Sequence, residues 1–92
     1  MCKILLKPLM EGKNYPDAGE TLYYEIVKHI NDSEKVVVDM TGIDALPSMF
    51  LNTSIGRIID QYGKQSLKDH VAFAMITRSQ AMRLHEYLER YK

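Results

Sequence analysis

The sequence predicts a small α/β domain with the element order βαβαβα and a mainly parallel sheet, arranged in two or three layers. Three short apolar runs, each followed by a stretch with helical periodicity, support this fold class. The middle run, Val36–Val38, is entirely β-branched, which is typical of a strand buried on both faces, and we expect it near the sheet centre. The chain of 92 residues is predicted to form one domain, 1–92.

The first βα unit begins with a predicted strand over Lys3–Lys7, which Pro8 stops. After a loop, Asp17 is predicted to cap helix one, because Glu20 lies three residues later as in a capping box. Apolar residues then recur every four positions and predict one buried helix face; they are Leu22, Ile26 and Ile30.

The second unit contains the clearest strand, Lys35–Met40, followed by a loop over Thr41–Pro47. Ser48 is predicted to be the N-cap of helix two, and Gly63 to end that helix. Between them, an apolar stripe at helical spacing predicts the side that faces the sheet; it comprises Leu51, Ile55, Ile58, Ile59 and Tyr62.

The third unit follows a predicted polar connector, Lys64–His70, and starts with a strand over Val71–Ile76. Thr77 and Gln80 form a second capping-box pattern, which predicts the start of helix three. The inner face of that helix is predicted to carry Ala81, Leu84, Leu88 and Tyr91.

Charge and composition narrow the classes of function. The 12 basic and 12 acidic side chains balance, so no basic excess favours nucleic-acid binding. The longest apolar run, Val71–Ile76, is far shorter than a membrane span, and the N-terminal residues do not resemble a signal peptide. With Cys2 as the single cysteine, no intrachain disulfide can form, and we expect a cytoplasmic protein.

One segment, Lys35–Ile59, reads KVVVDMTGIDALPSMFLNTSIGRII. This segment resembles the core of STAS-like domains, which are related to the anti-sigma-factor antagonists. In that pattern a β-branched strand ends in Asp, a short Gly-containing turn follows, and a Ser-containing helix start leads into a helix of small and apolar residues. The matching residues are Val36–Val38, Asp39, Gly42, Ile43, Ser48, Phe50, Leu51 and Gly56.

The resemblance implies a regulatory domain that works by binding a partner protein and not by catalysis. Members of the related group bind a kinase-like ATPase or an anti-sigma factor. They are regulated by phosphorylation of a Ser at the start of this helix, and Ser48 matches that position. The resemblance therefore implies that Ser48 is a phosphoacceptor.

Helix two also offers the best candidate for a partner-binding surface. Its predicted outer side carries Ser48, Met49, Asn52, Thr53, Gly56 and Arg57. A glycine inside a helix costs about 1 kcal/mol relative to Ala, so Gly56 indicates close approach by another group. That group is either a partner or another element of this domain. Tyr24 and Tyr87 lie off the apolar stripes and are predicted to be exposed contact residues.

We predict no catalytic residues, metal site or cofactor. Asp39 and Asp44 flank the loop after the central strand, but no third ligand or phosphate-binding loop accompanies them. The histidines, which are His29, His70 and His85, have no metal-ligand spacing.

Two other functions remain open. One is a small nucleotide- or metabolite-binding domain that uses the strand ends at Thr41–Ser48 and Thr77–Ser79. The other is an assembly domain that forms a homodimer through an edge strand.

Overall fold

A three-stranded sheet forms one layer of the domain. The computed structural model describes residues 2–91, and its strands are β1 (Cys2–Leu5), β2 (Val36–Asp39) and β3 (Val71–Ala74). Both strand pairs are parallel and the order is β1-β2-β3, so the predicted α/β class and the central place of the Val36–Val38 run are confirmed. Within residues 2–91, the outer edges of β1 and β3 pair with no further strand.

The helices are more numerous than the sequence pattern predicted. They are α1 (Leu6–Met10), α2 (Tyr15–Asn31), α3 (Ser48–Thr53), α4 (Ile55–Tyr62), α5 (Lys64–His70) and α6 (Arg78–Arg90). The predicted strand over Lys3–Lys7 is too long, because the chain turns into α1 at Leu6. Pro8 is accommodated there because the first turn of a helix needs no N–H donor. The predicted polar connector is α5, which buries Leu67.

The helices pack on a single face of the sheet, so the domain has two layers. Residues that point toward the helices join the apolar core; they are Cys2, Ile4, Val36, Val38, Val71 and Phe73. Val37 points the other way and is only half-buried. The expectation that β2 is buried on both faces was therefore wrong. Both crossovers run over the same face, as the sequential strand order and the right-handed crossover rule require.

Helix α2 begins earlier than predicted, and Asn14 is its N-cap. The Asn14 side chain accepts a 2.9 Å hydrogen bond from the Asp17 N–H. Asp17 is therefore inside the first turn, and the predicted Asp17–Glu20 capping box was wrong. Pro16 favours this earlier start because its fixed φ suits the first turn of a helix. The predicted stripe of α2, with Leu22 and Ile26, is buried as expected.

The predicted helix two is interrupted at Ser54, which separates α3 from α4. Ser54 is fully buried and has φ −115° and ψ −84°. Its hydroxyl donates a 2.7 Å hydrogen bond to the Phe50 carbonyl, which satisfies the side chain inside the core. The apolar stripe passes through the break unchanged, so its spacing carried no sign of the interruption.

Helix α6 starts with the predicted capping box. The Thr77 hydroxyl accepts from the Gln80 N–H at 3.1 Å, and the Gln80 side chain accepts from the Thr77 N–H at 3.0 Å. Two positions of α6 were predicted wrongly. Ala81, predicted to face inward, is exposed, and Tyr87, predicted to be exposed, is buried. The helix is rotated so that Leu84 and Tyr87 pack against the domain.

Candidate functional site

Ser48 lies in the first turn of α3, and its hydroxyl is exposed. Pro47 occupies the N-cap position and the helix start has no side-chain cap, so the predicted capping role of Ser48 was wrong. The Ser48 hydroxyl instead accepts a 2.8 Å hydrogen bond from Nη2 of Arg83 on α6. The same guanidinium donates from Nε to the Leu46 carbonyl at 3.2 Å. Arg83, which lies on the neighbouring helix α6, therefore holds the start of α3 and the residue before Pro47 in place.

One side of the α3–α4 segment faces α6. Asn52 accepts a 2.6 Å hydrogen bond from the Tyr87 hydroxyl. Gly56 is buried beneath the rings of Tyr87 and Tyr91, and a Cβ there would lie 3.0 Å from a Tyr91 ring carbon. Of the two roles expected for Gly56, the structure shows the internal one, because this glycine lets α6 approach. Gly56 is not part of the exposed surface.

The end of α6 is held by a second phenol. The Tyr91 hydroxyl donates a 2.8 Å hydrogen bond to the Asp60 carboxylate. Burial, together with this carboxylate, raises the pKa of Tyr91 to about 12. The phenol therefore keeps its proton, and its hydrogen bond, at neutral pH.

The other side of the α3–α4 segment faces α2. Thr53 packs against Gly19, and its hydroxyl donates to the Met49 carbonyl at 2.9 Å. The Arg57 guanidinium lies 4.2 Å from the Tyr23 ring centre and donates to the Tyr24 hydroxyl at 3.4 Å. This hydroxyl raises the pKa of Arg57, which stays a cation. Arg57 is thus held in one place by stacking on α2.

The predicted six-residue surface is therefore divided. Ser48 and Asn52 turn toward α6, while Thr53 and Arg57 turn toward α2. Met49 lies between them with 61% of its surface exposed. Tyr24, which was predicted to be exposed, is 50% exposed beside Arg57.

Arg83 is the residue of the site that the sequence pattern did not reveal. It separates two shallow depressions of about 390 and 220 Å³. The smaller is lined by Ser48, Arg83, Glu86, Tyr87, Arg90 and Tyr91. Two guanidinium groups and one carboxylate thus line the same depression as Ser48, and one of the guanidinium groups contacts its hydroxyl. Guanidinium groups in such a position can donate hydrogen bonds to the oxygens of an anion.

Asp39 has a structural role at the end of β2. Its Oδ1 accepts from the Thr41 hydroxyl at 2.6 Å and from the Thr41 N–H at 2.9 Å, and its Oδ2 lies 3.2 Å from the Lys3 ammonium. The Thr41 hydroxyl and N–H, with Lys3, lower the pKa of Asp39 to about 2. Asp44 lies elsewhere, in the loop that lines the larger depression.

In residues 2–91 no three or more His, Cys, Asp or Glu side chains are grouped so that they could hold a metal ion. None of the helices in this part of the chain has the length and apolar character to cross a membrane.

A parallel sheet with helices on one face, and an exposed serine starting the helix after the central strand, define a small α/β domain of STAS type. The family model described as a STAS-like domain of unknown function matches residues 18–79. The chain belongs to this STAS-like family, as the segment Lys35–Ile59 indicated. No curated protein and no solved structure gave a significant match.

Proposed function

We propose that this protein is a non-catalytic regulatory domain of the cytoplasm, which binds a kinase-like ATPase or an anti-sigma-type partner. The observation that carries the proposal is the exposed Ser48 hydroxyl, which lies beside the exposed Met49 and is bound by Arg83. The docking surface consists of Ser48, Met49, Asn52, Arg57 and Tyr24; we call it the α3 surface.

Met49 and Arg57 have different parts in this surface. Met49 is an exposed, flexible apolar side chain, and methionine adapts well to the shape of a partner. Arg57 is stacked on Tyr23 and bonded to Tyr24 before any partner arrives. Because its rotamer is already fixed, it loses less side-chain entropy on binding than a free arginine. These features support a protein partner for the α3 surface.

Ser48 is the proposed switch of the α3 surface. A phosphate on its hydroxyl adds nearly two negative charges and three acceptor oxygens. Arg83 is already within hydrogen-bond distance, and Arg90 lines the same depression. These arginines can hold the phosphate while the fold persists. The charge beside Met49 is thereby reversed, which changes the surface that a partner meets.

The same geometry supports a role without catalysis. A serine nucleophile needs a neighbouring base that takes its proton. The side-chain partner of Ser48 within residues 2–91 is Arg83, and a guanidinium stays protonated and cannot act as that base. We therefore propose that Ser48 receives a phosphate from another enzyme and needs no cofactor of its own.

The test is a binding measurement with variants of the α3 surface. The partner is first captured from the native cell with the wild-type protein and identified, and its affinity is then measured by calorimetry. Ser48→Asp, Met49→Glu and Arg57→Glu should each weaken binding about tenfold or more, because they place a negative charge at the contact. Met82→Glu, on the exposed side of α6, is the matched control and should bind normally.

Two results decide the proposal. Normal affinity of Met49→Glu and Arg57→Glu would exclude the α3 surface as the docking site. Intact-mass analysis of the native protein should show one added phosphate that is lost in Ser48→Ala. If Ser48→Asp binds as tightly as wild type and no phosphate is found, the switch is rejected while the docking site stands.

A second function is supported by a depression of about 340 Å³ at the carboxyl ends of β1 and β2. Its lining includes two lysines, two carboxylates and an exposed aromatic ring, which are Lys7, Lys13, Glu11, Asp44 and Tyr15. The Lys7 side chain packs over Gly42, which has φ +80°. Two ammonium groups and an exposed aromatic ring suit a nucleotide or another anionic metabolite. Calorimetry with ATP and with inorganic phosphate should then detect binding that Lys7→Glu abolishes, and no heat with either ligand excludes this function.

A further inference from the structure

The face of the sheet that points away from the helices is open. Because side chains alternate along a strand, the second and fourth rows of the sheet point to this face. The register fixes these rows as Lys3–Val37–Ala72 and Leu5–Asp39–Ala74. Leu5 is 54% exposed and Ala72 is also exposed, so nothing within residues 2–91 covers them. We call these two rows the open face.

An open face is unusual for this kind of sheet. Sheets made only of parallel strands are nearly always covered on both sides, because their crossovers place helices on the faces. Here both crossovers lie on the same side, so residues 2–91 leave the second side without a cover. An uncovered sheet surface would ordinarily carry polar residues. Apart from the Lys3–Asp39 ion pair, this one presents the exposed Leu5 and Ala72 and the half-buried Val37 and Ala74.

A further exposed apolar residue, Met75, lies directly after the end of β3. It is 70% exposed and has φ +55°. That left-handed conformation costs a side-chain-bearing residue about 1 kcal/mol or more. The backbone thus holds an apolar side chain in solvent at the end of the sheet, although a Gly there would be less strained.

Lysines border the open face at the amino-terminal ends of the strands. Lys35 and Lys68 line one small depression together with Asp69, His70, Val37 and Ala72. Lys3 lies in the first of the open rows and pairs with Asp39, the acidic residue of that surface. Lys35 and Lys68 together outweigh the single carboxylate of Asp69, so this border carries a net positive charge and an acidic partner would complement it.

The size of the open face limits what can cover it. Three strands spaced about 4.8 Å apart, with four residues each, span only about 14 Å by 13 Å. A second copy of the chain, stacked sheet to sheet, would bury far less than the ~800 Å² per partner of a stable dimer. A single α-helix, about 10 Å wide, matches the dimensions.

We propose that the open face binds one amphipathic helix of a partner protein, with an apolar stripe against Leu5, Val37 and Ala72 and acidic residues beside Lys35 and Lys68. This site is separate from the α3 surface, because the two lie on opposite sides of the sheet. One domain can then engage a partner helix and, through Ser48, a regulator.

The test uses a designed peptide as the probe. It is a fluorescein-labelled 18-residue helix with a leucine stripe and glutamates along both flanks. One control peptide has the same composition in scrambled order, and another has lysine in place of glutamate. Fluorescence anisotropy should show saturable binding of the first peptide, while the scrambled and lysine peptides bind at least about tenfold more weakly.

Variants of the domain locate the site. Leu5→Glu and Ala72→Glu should each weaken binding about tenfold or more, with unchanged circular dichroism because both positions are exposed. The double variant Lys35→Glu, Lys68→Glu should lose affinity for the glutamate peptide and gain affinity for the lysine peptide. Met49→Glu, on the α3 surface, should leave peptide binding unchanged.

Three results would overturn the proposal. The first is no detectable binding of the glutamate peptide at concentrations up to millimolar. The second is equal affinity for the scrambled peptide. The third is an affinity for the glutamate peptide that neither Leu5→Glu nor Ala72→Glu changes. Sedimentation equilibrium tests whether a second copy of the chain occupies the open face. A dimer of the wild-type domain that Leu5→Glu dissociates would assign the open face to self-association instead.

Discussion

The Nη2 atom of Arg83 donates a 2.8 Å hydrogen bond to the Ser48 hydroxyl across 35 positions of sequence. With its Nε bond to the Leu46 carbonyl, Arg83 joins α6 to the loop that precedes α3. The orientation of Ser48 is thus set by a distant helix and not by the local backbone. A change at Arg83 should therefore alter the stability of the domain and the effect of a phosphate on Ser48.

Replacement of Arg83 by Met should destabilise the domain by about 1–2 kcal/mol, because two hydrogen bonds between α6 and the α3 region are lost. Arg83→Lys should recover only part of this, since an ammonium cannot reach both acceptors with the geometry of a guanidinium. Urea unfolding monitored by circular dichroism measures the effect. Arg78→Met, at an exposed position of the same helix, is the control and should change stability by less than about 0.5 kcal/mol. Equal stability of both Met variants would show that the Arg83 contacts contribute nothing.

Ser48→Ala should cost only about 0.5 kcal/mol, because it loses one exposed hydrogen bond from Arg83 while Pro47, and not Ser48, is at the N-cap. A capping serine would instead cost about 1 kcal/mol when replaced. Thr77→Ala, which removes a true cap from α6, should show that larger loss in the same thermal or urea measurement. A Ser48→Ala loss as large as that of Thr77→Ala, measured in an Arg83→Met background that lacks the Arg83 bond, would restore the capping role.

Adding a methyl group at Gly19 should cost more than adding one at Gly56. A Cβ on Gly19 would lie 2.7 Å from the Phe50 carbonyl oxygen, which is backbone, whereas on Gly56 it meets the ends of two tyrosine side chains. We expect about 3 kcal/mol for Gly19→Ala and about 1 kcal/mol for Gly56→Ala, after the gain in helix propensity. Urea unfolding would measure both. In a Tyr87→Phe background the Gly56→Ala cost should shrink, and an unchanged cost would mean that the phenol is not the obstacle.

Stability should fall at acid pH through Asp39. The pKa of Asp39 is about 2 in the folded domain against an ordinary value of 3.8, so its contribution is complete above about pH 4. Between pH 4 and pH 2 the unfolded chain binds the proton more readily, and that contribution is lost. Urea unfolding at several pH values should show a shallower decline for Asp39→Asn than for wild type. Parallel declines would refute this assignment, and Asp69→Asn, at an exposed position, should behave like wild type.

Gln80→Glu should destabilise the domain by about 2 kcal/mol at pH 7, although it preserves the shape of the side chain. The Gln80 amide donates to the Ile43 carbonyl inside the domain. A carboxylate at this position would place a negatively charged oxygen against the carbonyl oxygen, with no N–H between them. The bond from the Thr77 N–H survives in this variant, so loss of the capping box is not the cause. Thermal unfolding should show Gln80→Glu to be less stable than Gln80→Met, and the reverse order would contradict this role.

Local signals were read correctly from the sequence. The run of β-branched residues gave the central strand, and the Thr77–Gln80 spacing gave the start of α6, because both depend on neighbouring residues. The break at Ser54 was missed because the apolar stripe has the same spacing on both sides of it. The capping of α2 was misassigned to Asp17 because two good capping residues, Asn14 and Asp17, lie three positions apart.

The candidate site was predictable only in part. The resemblance of Lys35–Ile59 placed Ser48 at the start of the correct helix, and Met49 and Tyr24 are exposed as expected. Arg83 could not be inferred, because its contact with Ser48 depends on how α6 packs. The neighbour of Gly56 likewise required the tertiary structure, since a glycine in a helix indicates close approach by another group but does not identify that group.

The strand order has a consequence for the speed of folding. Val36 pairs with Cys2 on one side and with Val71 on the other, each about 35 residues away along the chain. No hairpin can start such a sheet, so each strand pairing must first overcome the entropic cost of closing a long loop. We expect α2 to form early, because its contacts are local, and β2 to remain unpaired until late in folding. During that interval a run of three valines is exposed, which makes slow refolding at high protein concentration the condition most prone to aggregation.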